Sequence, residues 1–460
     1  MPLWLCTLTG NLEICTMLLD KGANVNVKKN DEISALHIAT QNRHGNIVKL
    51  LLKYGADVDG QTIKGETALH FAIQRQNVKV VETILEYNAN VNLGTKNGDM
   101  PLWLSSLTGN VEICTMLLDK GANVNVKKND GISVLHIAAK NHQGNMVKLL
   151  LKYGARINSR DKDGKTALHY ACHSKYVCVP DTHGYIIKLL LKHGARLNSR
   201  DKDGKTALHY ACHSNYVRDP DIHRYIIKLL LKDGARVNSQ DNDGRTALHY
   251  ACYNGCNEVV EELLEHGSDI NIMSKNGCTA LAEMDPYLGE SIGKLIVCLI
   301  AKMKTAYLYV SENNIQWYGE MVLNNFDLDI EDERETQDHY LRELAKMRNE
   351  KIANSNISLY DILVKGTSSL AACMRNENIV EISKTVRFET QFPSYASILK
   401  NQFRKGMERN KLLEPANRCF NSLLNGYPEL PYECAEKILN YIINEDLQNL
   451  IDAFEPDCVS

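Results

Sequence analysis

Along most of the chain, short clusters of apolar residues alternate with turns rich in glycine and asparagine, and the alternation keeps a fixed beat. The motif Gly-Ala-x-h-Asn, where h is aliphatic, stands at Gly22-Ala23, Gly55-Ala56 (with Asp59 in the asparagine place), Gly121-Ala122, Gly154-Ala155, Gly194-Ala195 and Gly234-Ala235. Degenerate forms occur at Asn88-Ala89 and Gly267-Ser268. The alanine position advances by 33 residues from 23 to 155, by 40 to 195 and again to 235, and by 33 to Ser268. A second marker, [Thr/Ser]-Ala-Leu-His, stands at Ser34–His37, Thr67–His70, Thr166–His169, Thr206–His209 and Thr246–His249, with Ser133–His136 one residue different. Fixed periods of this length are the mark of solenoids.

Each period predicts a turn, a short helix, a second turn and a longer helix. In the fifth, Asp130-Gly131 supplies a tight turn. Ser133-Val-Leu-His then opens a helix ending near Asn141, and Gly144-Asn145 breaks it. Met146 to Tyr153 forms the second helix, with Val147, Leu150 and Leu151 on one face. Gly154 ends it at C′, where a residue without Cβ turns left-handed freely. One helix pair cannot bury its apolar side alone, so neighbours stack and stability becomes a sum over interfaces. The expectation is an all-α solenoid with β-hairpin-like turns, an elongated curved surface that suits protein binding and offers no closed pocket.

Some periods are near copies of others. Pro2–Ser34 and Pro101–Ser133 are nearly identical at an offset of 99, and residues 161–177 and 201–217 match almost completely at an offset of 40. In the 40-residue periods, Ala171 to Gly194 and Ala211 to Gly234 each span 23 residues, against 16 from Ala138 to Gly154. The seven extra residues fall around Val177–Gly184 and Val217–Arg224, where Pro180-Asp181 and Pro220-Asp221 favour a turn at the inter-helix corner. The chain begins inside a period, since Met1–Trp4 corresponds to Met100–Trp103. That edge wants a polar cap, so the expectation is a natural start further upstream, with a partner on the edge as the alternative.

Composition changes this picture little. Of 460 residues, 44% are hydrophobic and 24% charged, and the net charge of -3 gives no reason to expect nucleic acid or an anionic membrane as partner. No apolar run approaches the ~18–20 residues of a membrane span, and the N-terminus has no secretory signal pattern. Fourteen cysteines contain no CxxC pair, and Cys172, Cys212 and Cys252 are one position copied three times. They are expected to be reduced thiols without metal, which fits a cytoplasmic or nuclear protein. The acidic stretch Asp327–Asp338 and the basic cluster Lys400, Arg404, Lys405, Arg409 and Lys411 are expected to be solvated helix faces. His173 and His213 follow Cys172 and Cys212, but adjacent residues on a helix point about 100° apart and cannot act as nucleophile and base. With no phosphate loop, HExxH or GxSxG, neither an enzyme nor a cofactor is expected.

The Thr-x-Leu-His-x-Ala and Leu-Leu-x-x-Gly-Ala-x-x-Asn signatures resemble the ankyrin repeat closely. About eight units reach residue 274, followed by a degenerate cap from Asn276-Gly277-Cys278-Thr279-Ala280-Leu281 to about Lys304, which sets the expected solenoid at 1–304. In that family the motif histidine, here His169, His209 and His249, hydrogen-bonds across the hairpin. Partners contact the hairpin tips and the exposed side of the first helix on the concave face. The resemblance therefore marks Asn129, Asp130, Ile132, Lys140 and Asn141 in the fifth unit as target-binding candidates. It marks Lys162, Asp163, Lys165, His173 and Ser174 in the sixth, and Lys202, Asp203, Lys205, His213 and Ser214 in the seventh. The eighth contributes Asn242, Asp243, Arg245, Tyr253 and Asn254.

Beyond about Lys304 the period is expected to vanish into a charged helical linker, 305–358, that includes Glu343–Met347. A helical domain follows over 359–460, with Pro393, Pro415, Pro428 and Pro431 punctuating short helices. From Leu430 to Leu450, Pro431 suits a helix N-terminus, Glu433 complements its dipole, and Ile438, Leu439 and Ile442 share one stripe. Asp446 can cap a second short helix carrying Leu447, Leu450 and Ile451. The string looks like the front half of an F-box, Leu-Pro-x-Glu-x-x-x-x-Ile-Leu-x-x-Ile-x-x-x-Asp-Leu, ending at Ser460 before the last F-box helix. After ankyrin repeats, it resembles the PRANC family of poxvirus and parasitoid-wasp ankyrin proteins. That resemblance implies docking on the Skp-type linker and cullin of an SCF ubiquitin ligase through Leu430, Pro431, Glu433, Ile438, Leu439, Ile442 and Leu447. The alternative is that the stripe packs against the preceding helices, Ile398 to Leu424. The expected function is an adaptor between a captured target and the ligase. The rival is an ankyrin scaffold or inhibitor that masks a transcription factor of the NF-kappa-B kind.

Overall fold

The structure, a computed structural model, describes residues 2–29, 31–173, 180–213, 220–283, 299–300, 303, 308, 310–316, 330–352, 357–365 and 367–423. Its contacts separate two compact units, Met1–Ala235 and Arg236–Ser460. Among the described residues there are helices and four isolated β-bridges, Lys28–Ser34, Lys127–Ser133, Met273–Thr279 and Lys351–Ser358, and no extended strand. No helix among them is long and apolar enough to cross a membrane.

In the first unit, helix pairs succeed one another as the sequence periodicity predicts. The fifth pair is Val134–Lys140 and Gly144–Lys152, with Met146, Val147 and Leu150 fully buried. Gly154 takes φ +80° just past that helix, and in the degenerate unit Asn88 holds the same position at φ 57°. Asn tolerates the left-handed region better than other residues with a Cβ.

The first helices that follow Ser34, Thr67, Ser133, Thr166, Thr206 and Thr246 open on a capping box in which histidine stands where glutamate usually does. Thr67 is the N-cap, and its N–H donates to His70 Nδ1 at 3.1 Å with its hydroxyl 2.8 Å away. A backbone N–H can only donate, so Nδ1 is the acceptor and the ring proton sits on Nε2. Nε2–H then donates to a carbonyl oxygen beyond its own helix pair, Asp99 at 3.0 Å. The same bond joins His37 to Gly60 (2.8 Å), His136 to Ser159 (3.0 Å) and His169 to Ser199 (2.9 Å). Burial holds the pKa of all four imidazoles below the ordinary histidine value, as this uncharged tautomer requires.

The asparagine of Gly-Ala-x-h-Asn is a clip between neighbours. Asn26 accepts from Asp57 N–H at 2.8 Å and donates to Gly55 O at 3.1 Å. Asn92 does so with Asn123 and Gly121, Asn125 with Arg156 and Gly154, and Asn158 with Arg196 and Gly194. These amides satisfy groups at the helix C-terminus that would otherwise lack a protein partner.

The 40-residue periods depart from expectation. Their second helices begin at Pro180 and Pro220 and run 13 residues, to Lys192 and Lys232, against nine in the regular pair. Pro180-Asp181 and Pro220-Asp221 thus open a helix instead of making a turn. Proline at N1 loses no intrahelical bond there, and its φ is already helical. Residues 174–179 and 214–219, Ser174 and Ser214 among them, lie outside the described residues. The added turn buries His183 and His223; His223 Nε2 bonds Ala211 O, and the His183 ring lies 3.6 Å from that of His142.

In the second unit the eighth pair, Ala247–Tyr253 and Asn257–Glu265, uses the same fittings. His249 Nε2 bonds Cys278 O at 3.3 Å, and Asn238 clips Asp269 N and Gly267 O at 2.8 and 3.1 Å. Asn271 Oδ1 then accepts from Ser311 N–H at 2.8 Å, one more rung beyond the point near Lys304 where the period was expected to vanish. Val310 fills the alanine place, and buried Asn314 bonds Ile270 O and Thr279 at 2.8 and 2.7 Å.

A separate core lies further along the chain, around Phe388, Phe392, Tyr395 and Phe403, with Phe388 and Phe403 stacked at 5.6 Å. It takes in Leu344, Met347 and Ile352 from the stretch expected to be a linker, where a helix runs Ile330–Asn349. Buried Glu343 fixes that helix by accepting from Ser394 N–H and Oγ–H at 3.1 and 2.9 Å. The last described helix, Ala396–Leu423, contains Pro415 in its interior. Pro415 therefore does not end a helix as expected: one i→i−4 bond is lost, and buried Leu413 and Ala416 carry the helix through.

Candidate protein-binding surface

The hairpin tips are built from an aspartate that the sequence motifs did not single out. In the sixth unit Asp161 Oδ1 accepts from the N–H groups of Asp163 and Lys165 at 2.9 and 2.8 Å, and Oδ2 accepts the Tyr170 hydroxyl at 2.6 Å. Asp201 repeats this with Asp203, Lys205 and Tyr210, and Asp241 with Asp243, Arg245 and Tyr250. The signal was present in the sequence: Asp five residues before the Thr-Ala-Leu-His of the sixth, seventh and eighth units, with Tyr directly after the histidine. An Asx turn of this kind fixes the tip backbone.

Successive tips are then joined through their main chains. Lys162 N–H donates to Asp130 O and Lys202 N–H to Asp163 O, both at 2.8 Å; in the second unit Lys275 N–H donates to Asp243 O at 2.8 Å. With the backbone so occupied, the side chains of Lys162 and Asp163 and of Lys202 and Asp203 point outward and are exposed, as are those of Asn129 and Asp130. Lys165 and Lys205 are half-buried, with Lys165 Nζ 5.3 Å from the centre of the Tyr210 ring. His173 is also half-buried and packs edge-on to Tyr210 at 5.2 Å, whereas His213 is exposed.

The structure thus brings the sixth and seventh tips into one row of alternating charge, while Lys165 and His173 also belong to the scaffold. In the second unit Asn242, Asp243 and Tyr253 are exposed, and Arg245 is engaged by Glu283 through bonds of 3.1 and 3.2 Å. In the fifth unit Lys140 and Asn141 are exposed and Ile132 is half-buried.

The motif histidines are structural. Their rings are buried, and in His169 the Thr166 N–H and the Ser199 carbonyl hold the two ring nitrogens. Among the described residues no group of three or more His, Cys, Asp or Glu side chains could hold a metal ion, and the nine described cysteines are free thiols. Burial pushes Cys114 up to about 11 and Cys252 up to about 12, which keeps both thiols protonated.

The basic cluster is not the solvated face expected of it. In the helix Ala396–Leu423, Arg409 is buried and Arg404 half-buried. Arg404 donates to His266 O, and Asn401 Nδ2 donates to Glu265 O at 3.4 Å. Both acceptors belong to the C-terminal end of the helix Asn257–Glu265, where open carbonyls and the negative dipole end attract a cation. The C-terminal domain is therefore docked on the eighth ankyrin unit through this helix.

The linker-binding candidates Leu430, Pro431, Glu433, Ile438, Leu439, Ile442 and Leu447 lie outside the described residues.

A family model described as ankyrin repeats (3 copies) matches residues 1–62, 54–128, 102–181, 135–238 and 221–283, and a PRANC domain model matches 354–452. Among solved structures, the ankyrin-repeat domain of Bcl-3, a member of the IkappaB protein family, is similar at 23% identity and TM-score 0.41 over 50% of this chain and 97% of that one. The ankyrin-repeat domain of human ASB11 is similar at 26% identity and TM-score 0.41 over 51% of this chain and 97% of that one. No curated protein matches the chain. Repeats matched across more than half its length make this chain a member of the ankyrin-repeat family, and it carries a PRANC domain after them.

Proposed function

We propose that the chain is an adaptor that captures a target protein on its ankyrin tips and presents it to an SCF-type ubiquitin ligase. Ankyrin repeats are protein-interaction modules and the PRANC domain is F-box-like. One observation carries the reading: both modules occur on the same chain, matched at 1–283 and 354–452. Fixed tip backbones with outward charged side chains support the capture half, since charge patterns of this sort give specificity and encounter rate.

In this division of labour residues 1–304 hold the target. The domain at 359–460 engages the Skp-type linker, and through it the cullin, by helix-in-groove docking of Ile438, Leu439 and Ile442. Ubiquitin transfer belongs to another subunit; this chain contributes only effective concentration. The site of action is the cytoplasm or nucleus.

Affinity purification of the full chain beside an Ile438→Glu/Leu439→Glu variant tests the proposal. Linker and cullin should accompany the full chain and be lost from the variant, while the target stays with both. If the full chain brings down neither linker nor cullin, the adaptor is ruled out and masking of the target by the repeats alone takes its place.

A further inference from the structure

Each second helix offers three positions at intervals of four residues: its middle, its last turn and the turn just beyond. In the fifth unit they hold Lys148, Lys152 and Arg156, and in the sixth Lys188, Lys192 and Arg196, all exposed. The seventh adds exposed Lys232. The helices concerned, Gly144–Lys152, Pro180–Lys192 and Pro220–Lys232, pack side by side in that order. The same positions read Glu82, Glu86 and Asn90 in the third unit, Thr115, Asp119 and Asn123 in the fourth, and Glu261, Glu265 and Asp269 in the eighth. The fold therefore asks for a cation at none of them. Nor does the helix dipole decide, since it favours a cation in every last turn and Glu86, Asp119 and Glu265 stand there all the same.

Among the described residues, none of these seven cations forms an ion pair. Asp119, which takes the Tyr153 hydroxyl, and exposed Asp233 stand at the two ends of the patch. Like charges four residues apart repel, as do those on helices packed about 8–10 Å away. Self-repulsion costs stability, so cations gathered here and not elsewhere mark a surface for an anion. It lies on the second helices, apart from the tips. Leu149 and Leu189, between the lysines, are half-buried, so nothing apolar stands out to enter a bilayer. Tyr185 rests against Gly144 and Tyr225 against Gly184, with Lys188 Nζ 5.3 Å from the Tyr225 ring centre. A nucleic-acid base stacked on that ring would displace a cation its own phosphates need.

We propose that this face binds an extended acidic segment of a partner protein, with a carboxylate at every second residue. Cationic positions four apart on a helix are about 5–6 Å from each other, and alternate side chains of an extended chain about 6.5 Å. A segment laid along the row from Lys188 to Arg196 thus meets a cation with each carboxylate in turn. Rows on the flanking helices add field without adding contacts, which speeds encounter and rejects basic or neutral segments. The second unit supplies a control within the chain. Lys49 and Lys53 are exposed at the same positions, but Asp57 follows them, and the neighbouring helices bear Asp20 on one side and Glu82 and Glu86 on the other. That lone pair sits in a field already balanced, so it should not bind the segment.

Fluorescence anisotropy of the full chain with a labelled peptide of about 12 residues, alternating Glu and Ser, tests this. The peptide should bind at about 50 mM salt and weaken steeply towards about 300 mM. A peptide of the same composition with its glutamates in one block should bind less well. Lys188→Glu/Lys192→Glu should raise the dissociation constant at least about tenfold, since two attractions become two repulsions. Lys49→Glu/Lys53→Glu should change it by no more than about twofold. All four lysines are exposed, and circular dichroism with thermal melting should show both variants folded and as stable as the wild type. A wild type that does not bind at low salt overturns the proposal, as does an equal loss in the two variants or an indifference to glutamate spacing. Tighter binding of a DNA duplex, a single strand or phosphatidylserine vesicles at the same charge concentration overturns it as well, and assigns the face to phosphate.

Discussion

Between Thr67 and Asp99 one imidazole joins a helix pair to the turn of the next unit, and the same bonds return at Ser133–Ser159 and Thr166–Ser199. Between Glu343 and Phe403 nothing recurs among the described residues: four large aromatic residues and a buried glutamate make one core with no second copy there. The repeats distribute their stability over many equal and local joints, whereas the C-terminal domain concentrates it. A lesion in the first should therefore stay local, and a lesion in the second should take down a whole domain.

The largest effect is expected in the concentrated core. Phe403→Ala removes a fully buried ring stacked on Phe388 and should cost the domain about 3–5 kcal/mol, read as a lowered denaturant midpoint of its transition. Hydrogen exchange in residues 35–170 should be unchanged. A matching loss of protection there would break the contrast.

His70→Ala comes next. It strands the Thr67 N–H and the Asp99 carbonyl, with an expected cost of about 1–3 kcal/mol. Exchange should rise between residues 60 and 110 and nowhere else.

The same joints give the repeats a pH dependence. Burial holds His37, His70, His136, His169 and His249 below the ordinary value of 6.5, and burial with the neighbouring His183 pushes His142 down to about 4. The unfolded chain binds protons more readily than the native one in this range, so stability is full above about pH 6.5 and falls as pH drops through the lowered native values. Melting temperature measured from pH 7.5 to 5 should decline, with a shallower decline in a His142→Gln variant.

A smaller change is expected from Arg404→Ala, which uncaps the helix Asn257–Glu265 at a cost of about 1 kcal/mol. Faster exchange at the C-terminal end of that helix would register it. Least of all, Lys202→Ser at a tip should move stability by no more than about 0.5 kcal/mol while changing target affinity.

Most of the repeat region was legible because each unit restates its grammar. Gly154 at the helix end, Thr166 with His169, and Asn125 as clip are local signals tied to local bonds. The rung at Ser311 was hidden because Val310-Ser311-Glu312-Asn313 keeps the asparagine but lacks the Gly-Ala that marks the phase. Pro180 misleads because proline before aspartate suits a turn and a helix start equally, and only packing of the added turn decides. Arg404 and Arg409 resemble a solvated face because charge alone does not reveal a carbonyl 138 residues away in sequence. At the tips, Lys162, Asp163, Lys202 and Asp203 were legible as outward side chains. The aspartate–tyrosine braces that hold them are repeated just as plainly, but their two halves sit nine residues apart and join only once the tip has folded.

The near-identity of residues 161–177 and 201–217, set beside joints that are the same from unit to unit, bears on how such a chain changes over generations. Unequal crossing-over between two such tracts would insert or excise a whole unit, and the product would close with the same asparagine and histidine bonds as before. The number of tips offered to a partner can therefore grow or shrink in single genetic steps, with no repair required at the seam.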